Sequence, residues 1–508
     1  RLFLKMASVV EPDEARDNYG LEPLPDIDFN IRAGNTLVGF ATHDDVQKAV
    51  TSTLDFDDAM SAIEEKAEIA ERAYDLFRRQ QVELGGDVTI EDKKALRARL
   101  RDLDAELNRY LARQYVIDAV HHKEKYEKWL ASHQPFHWFV EFYGIMKRGG
   151  FDVIIGNPPW KEYSAVKRDY TVLNSPAEAC GNLHGMCTAR ANQLRSLHGR
   201  LSFIVQLPFA SSSRMTSLRR LVSKGSKRIH LSTYDDRPSR LFDGLEHCRC
   251  AIFLISGDAP TSQAQLLTTK YQRWYSEARQ FMYEQLDHTS VSAVLVDGVF
   301  PKYGSTFEDS LLSKTQMVST RRLKHFIQPK KTDHFIFYQE AMQYWAKSTI
   351  GLPYYAKDSL VGAPPHGRYL FFADATLASA AYALINSSLF YAYFVAYGDC
   401  FHLSDTLVSE FPVTEAILRD STMADIGLRL QDSLDEHSVK KTISTKDGAK
   451  ISYAEFSVAK SKPLIDEIDR ALAKHYGFTD EELDFIINYD IKYRMGLNGD
   501  GAGKEEEE

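Results

Sequence analysis

The run Asn157-Pro158-Pro159-Trp160 joins residue types at a spacing that could do chemistry. Pro158 and Pro159 fix two φ angles, so the loop is stiff before any ligand arrives. Pro158 has a carbonyl but no N–H, and Asn157 adds a side-chain carbonyl, so the loop presents two acceptors. Two fixed acceptors about one point suit an exocyclic –NH2 group. Trp160 offers a flat face for a base, a contact worth ~1–3 kcal/mol. Holding both N–H groups of an aromatic amine favours a more tetrahedral nitrogen. Its lone pair can then attack an electrophilic methyl group in line, by positioning and electrostatics alone. A base paired inside a duplex would have to be flipped out to reach such a loop. The same four residues also suit a plain turn, because Asn-Pro is a common turn pair.

The elements around the run must place it. Residues 151–155 are continuously apolar after Asp152 and predict a short buried strand that opens into the loop, where open α/β sheets place ligands. A helix over about 181–197, a strand at 201–205, a helix over 212–223 and strands at 228–231 and 250–255 follow. Such alternation predicts a mostly parallel sheet with helices on both faces. Residues 21–40 are turn-rich, with a strand-like stretch at 29–33 before Gly34-Asn35. Residues 44–148 are charged and helical in period. Leu96, Leu100, Leu103, Leu107 and Leu111 form an apolar stripe, and Met60, Ile63, Ala70 and Phe77 mark an earlier helix. Thr89 with Asp92 resembles an N-cap, and Gly85-Gly86 is the turn of the resulting hairpin. Residues 261–415 are mixed and aromatic-rich, and 416–495 return to helix, with a capping box at Thr479 and Glu482. The tail 496–508 ends in four glutamates and reads as disordered.

Composition bounds the rest. At ~150 residues per domain, 508 residues make three domains or so. A net charge of −9 excludes a uniformly basic nucleic-acid coat protein but not a basic cleft on an acidic body. Five cysteines suit neither a disulfide framework nor a zinc site and imply a cytoplasmic compartment. No apolar run approaches the ~18 residues of a membrane span.

The full run 151–160 resembles the catalytic motif of N6-adenine DNA methyltransferases, more narrowly the fused restriction–modification (type IIG-like) and phage-defence methylases. The resemblance covers about 21–42, 151–256 and 380–413. It implies a partial class I (Rossmann-like) methyltransferase sheet at 1–43 and 149–258, with 44–148 as a helical insertion outside the minimal catalytic fold. An α+β target-recognition domain at 259–415 and a helical C-terminus would follow. It implies S-adenosyl-L-methionine as cofactor, with Asn35 near its adenine end and Asn157 at the methyl. Double-stranded DNA is the implied substrate, with other defence-system subunits as partners. Phe242, in the stretch 234–242, would contact the flipped base opposite Trp160. The plainer alternatives are a Gly-Asn turn at Asn35 and a core position for Phe242. The family's Gly-rich cofactor turn has no counterpart here. The resemblance places it upstream of Arg1, so the chain reads as a C-terminal fragment that needs the missing N-terminal part of the polypeptide.

Two basic clusters are candidates for phosphate contact. One holds Arg214, Arg219, Arg220, Lys224, Lys227 and Arg228. The other holds Arg321, Arg322, Lys324, Lys330 and Lys331. Solvated surface is the alternative for both. No metal site is expected. Protein-glutamine N5 methylation, which also needs a planar –NH2 held by acceptors, and a non-catalytic DNA-specificity module remain open as other functions.

Overall fold

The computed structural model describes residues 31–51, 56–82, 90–242, 248–257, 264–284, 286–291, 298–318, 320–342, 344–445 and 448–495, with a few isolated positions besides. The expectations for 21–30, for Gly85-Gly86 and Thr89, and for the acidic tail lie outside the described residues. So do those for the side chains of Phe77 and Asp92. The chain divides into two compact units.

The first unit takes Arg1–Val153, Lys161–Ser175 and Ala189–Gly199. Helices His43–Val50, Phe56–Val82, Ile90–Gln114 and Lys123–His133 dominate it. Thr42 and Asp45 form a capping box at the first helix. The stripe Leu96, Leu100, Leu103, Leu107 and Leu111 is buried, as are Met60, Ile63 and Ala70. Of the strand expected at 29–33, residues 31–33 form none. Instead the segment after them lies along 134–137. Asn35 N donates to Gln134 O at 2.8 Å and Phe136 N to Val38 O at 2.7 Å. Phe40 N donates to His137 Nδ1 at 3.1 Å. Burial pushes the His137 imidazole down to about 3, so the ring is neutral. With Nδ1 accepting, its proton sits on Nε2 and faces Asn108 Oδ1 at 3.1 Å.

The main sheet has six strands: β1 Phe151–Gly156, β2 Arg195–Gln206, β3 Arg228–Tyr234, β4 Cys250–Ser256, β5 Gln265–Gln272 and β6 Thr289–Ser290. Their order is β1-β2-β4-β3-β5-β6. The expectation of a mostly parallel sheet is corrected. β4 runs antiparallel to both β2 and β3, β5 and β6 are antiparallel, and β3 with β5 is parallel. The cause is the connection 235–249, whose described residues form no helix. A crossover helix would return the chain in the same sense. This loop instead doubles it back between β2 and β3. The register sets Phe203 and Leu231 on either side of Phe253, and all three are buried.

The burial expected for 151–155 is also corrected. β1 ends the strand order, and Val153 and Ile155 are 63% and 80% exposed. A continuous apolar run describes composition and not the number of neighbours a strand has. The helix expected over 212–223 begins only at Thr216.

Seven further strands build two small sheets: β7 Phe335–Gln339, β8 Ser348–Ile350, β9 Tyr355–Lys357, β10 Leu360–Val361, β11 Gly367–Phe371, β12 Val439–Ser444 and β13 Lys450–Glu455. Their orders are β11-β7-β8 and β10-β9-β13-β12. The reading of 416–495 as wholly helical therefore fails at the β12–β13 hairpin, which pairs with β9. Val439, Thr442 and Ile443 in β12 are β-branched residues that favour a strand. Helices Ala375–Asn386 and Ser388–Tyr397 are buried almost throughout and pack against helices Ser421–Glu436 and Lys462–Tyr476. The capping box of Thr479 and Glu482 opens helix Asp480–Ile487, as the spacing indicates.

Candidate functional site

Asn157, Pro158, Pro159, Trp160 and Phe242 line one cavity of about 360 Å³ in the second unit. β1 delivers the loop. At its last residue, Gly156, a Cβ would stand 3.2 Å from the Phe203 ring on β2, so the loop leaves the sheet closely packed. Pro158 is buried, while Asn157 and Pro159 are exposed. The Trp160 indole is half-buried, and its Nε1–H donates to Ile204 O on β2 at 3.2 Å. That bond fixes the plane of the ring against a core strand before any ligand binds.

The fifth lining residue, Phe242, comes from the connection between β3 and β4. Phe242 and Trp160 pack, partly buried, on a cluster of Tyr234, Leu241, Cys250, Trp274 and Met282. Phe242 is therefore both core-supported and cavity-lining. The loop that carries it is stapled at both ends by one guanidinium. Arg249 Nε lies 3.1 Å from Asp235 Oδ1 and its NH2 group 3.0 Å from Asp236 Oδ1. Arg273 adds a second contact to Asp235, at 2.8 Å, and pairs with Asp490. Burial alone would raise the Asp235 carboxyl, but Arg273 and Arg249 beside it hold it below the usual carboxylate range. Burial raises Asp236 against the pull of Arg249. These ionic side chains lie outside the five that line the cavity. The sequence reading missed them, because no local pattern ties Asp235 and Asp236 to Arg249 across the loop.

Other expected site residues fall elsewhere. Asn35 belongs to the first unit, where its Oδ1 accepts from Leu37 N at 3.2 Å. The turn read there as the alternative is thus present, and the side chain keeps its amide NH2 to donate. In the first basic cluster Arg219 is 1% exposed. Its guanidinium donates to the carbonyls of Gly298, Phe209 and Ser212 and to Thr216 Oγ1, so it holds loops together and cannot meet a phosphate. In the second cluster Arg321 pairs with Glu415 at 2.8 Å and Lys324 with Glu410 at 2.6 Å. Arg322 donates to Gln316 Oε1 at 3.3 Å. Lys330 and Lys331 are exposed. Among the described residues no group of three or more His, Cys, Asp or Glu side chains could hold a metal ion. No described helix is long and apolar enough to cross a membrane.

Residues 62–242 match the family described as Eco57I restriction-modification methylase. The match takes in most of the helical stretch that the sequence reading set apart and ends at Phe242. The likenesses drawn at 21–42 and 380–413 lie outside it. Over 125 residues the chain is 31% identical to RM.MjaORFECS2P of Methanocaldococcus jannaschii, named a type II restriction enzyme and methyltransferase. That alignment spans 24% of this chain and 10% of the relative, so the chain covers a small part of that protein. Among solved structures, the type IIL restriction-modification enzyme MmeI in complex with DNA overlaps 66% of this chain and 56% of its own, at 12% identity and a TM-score of 0.38. A nuclease-deletion mutant of the type ISP restriction-modification enzyme LlaGI with a DNA substrate mimic overlaps 62% and 47%, at 9% identity and a TM-score of 0.33. The matched residues 62–242, which contain all five residues that line the cavity, are thus similar to the Eco57I restriction-modification methylase family.

Proposed function

We propose that the chain carries the base-binding half of a site-specific DNA methyltransferase that moves a methyl group to N6 of an adenine flipped out of the duplex. The observation that carries this reading is the single cavity formed by Asn157, Pro158, Pro159, Trp160 and Phe242. Asn157 Oδ1 and the Pro158 carbonyl accept the two N6 hydrogens. Trp160, pinned to β2, and Phe242, seated on its apolar cluster, flank the purine. S-adenosylmethionine, when bound, supplies the electrophilic methyl group. In this reading the exposed Asn157 stands beside both the methyl group and the amine. The N6–C bond would form as the donor's S–C bond breaks, leaving a neutral thioether, and the cationic N6 would then lose its extra proton to solvent water. Double-stranded DNA is the substrate, reached in part through Lys330 and Lys331 with Arg321, Arg322 and Lys324 at their side.

Asn157→Ala and Trp160→Ala in the intact protein test this reading. Asn157→Ala is expected to lower transfer of labelled methyl groups to duplex DNA by ~100-fold or more, as the loss of a transition-state hydrogen-bond partner does, and Trp160→Ala by about tenfold or more, as the loss of a stacking face does. DNA affinity should change by about threefold or less, because phosphate contacts supply most of it. Unchanged transfer in either variant would refute the assignment.

A further inference from the structure

A second cavity, of about 620 Å³, adjoins the first and shares Phe242 with it. Ser276, Glu277, Arg279, Met282 and Tyr283 are among its other walls. The 3-10 helix Ser276–Phe281 that borders it buries none of its residues, so it is no core element. Yet side chains in it and just after it are held. The Tyr283 ring meets Tyr234 edge-on at 6.3 Å while staying 55% exposed. The Arg279 NH2 group donates to Leu241 O at 2.8 Å, one residue before Phe242. A pinned, exposed ring beside a tethered guanidinium is the combination that takes a nucleobase and its phosphate. Glu277, accepting from Ser276 Oγ at 3.2 Å, suits the amino edge of a base.

We propose that this second cavity receives the nucleotide next to the extruded adenine on the same strand. This rests on the reading given under Proposed function and extends it from one base to two positions. Extrusion deprives that neighbour of its stacking partner on one side. Tyr283 supplies a replacement face, and Arg279 meets the intervening phosphate. Phe242, common to both cavities, separates the two bases.

The test uses steady-state methyl transfer by the intact protein. Its recognition sequence is first mapped from the adenines it modifies. Duplexes then carry either the normal nucleotide or an abasic residue beside the target adenine. Tyr283→Ala should raise KM for the normal duplex about tenfold with kcat nearly unchanged, the size expected of one lost stacking contact. It should add no further loss on the abasic duplex. Tyr283→Phe should behave as the unaltered protein. Arg279→Gln should raise KM and lower the salt dependence of binding by about one ion. A wild-type KM in Tyr283→Ala, or an equal tenfold loss on both duplexes, would overturn the proposal. If the unaltered protein transfers no methyl group to any duplex, the methyltransferase reading itself falls and takes this one with it.

Discussion

At Trp160 one side chain has two duties that a substitution can separate. Its face is offered to the cavity, and its Nε1–H is bonded to Ile204 O. Trp160→Phe keeps an aromatic face and removes the bond. A neutral hydrogen bond is worth ~1 kcal/mol, or about fivefold. The expected result is a KM for DNA raised about fivefold with kcat within about threefold, measured by methyl transfer. Equal loss in Trp160→Phe and Trp160→Ala would mean that the anchor, and not the stacking face, is what matters. The run of acceptors and the indole at 157–160 stand out in the chain because they are adjacent in sequence, whereas Phe242 becomes their neighbour only in the fold. Arg249 does not stand out either, since its value lies in closing a loop whose two ends meet only in three dimensions.

Two element-level contacts set stability. In helix Ser421–Glu436, a Cβ on Gly427 would lie 2.4 Å from Ser379 O of helix Ala375–Asn386. Alanine gains up to ~1 kcal/mol of helix propensity over glycine. Overpacking costs ~1–3 kcal/mol, so the clash wins. Gly427→Ala should therefore lower the melting temperature, read by calorimetry, whereas an exposed helix glycine would raise it. In helix Ile90–Gln114, burial and then the neighbouring Glu141 raise the Asp104 carboxyl from 3.8 to about 8. Arg32 pairs with Glu141 at 2.9 Å and opposes this only in part. The folded form thus holds a proton that the unfolded chain releases above about pH 4. Stability from this group is complete at low pH and is lost as the pH rises toward about 8. The melting temperature should fall between about pH 4 and pH 8, and Asp104→Asn should flatten that slope. A slope unchanged by the substitution would assign it to other groups.

The chain as a whole is acidic, at −9, so the proposed contact with DNA would depend on where exposed positive charge stands apart from carboxylates. Exposed ion pairs such as Arg321 with Glu415 and Lys324 with Glu410 are worth ~0–1 kcal/mol and exchange readily, but each carries a carboxylate beside the cation. Lys330→Gln with Lys331→Gln should lower the slope of log affinity against log salt by about two. Arg321→Gln with Lys324→Gln should lower it by less, because the freed carboxylates and lost cations both change the local field. Salt-titrated binding of a labelled duplex measures both pairs, and equal slopes in all variants would remove this cluster from the DNA interface.

Read without coordinates, the amino-acid order determined the chemistry on offer at 157–160, the strands from 151 to 256, the leucine stripe and the Thr479 cap. Those depend on residue type, fixed φ angles or local period. Tertiary structure alone decided that β4 inserts antiparallel between β2 and β3, that β1 stands at the end of the sheet, that Arg219 is buried and that Phe242 joins Trp160. Each of these depends on which distant segment becomes a neighbour. That is settled by loop closure and shared burial across the fold, and no local pattern encodes it.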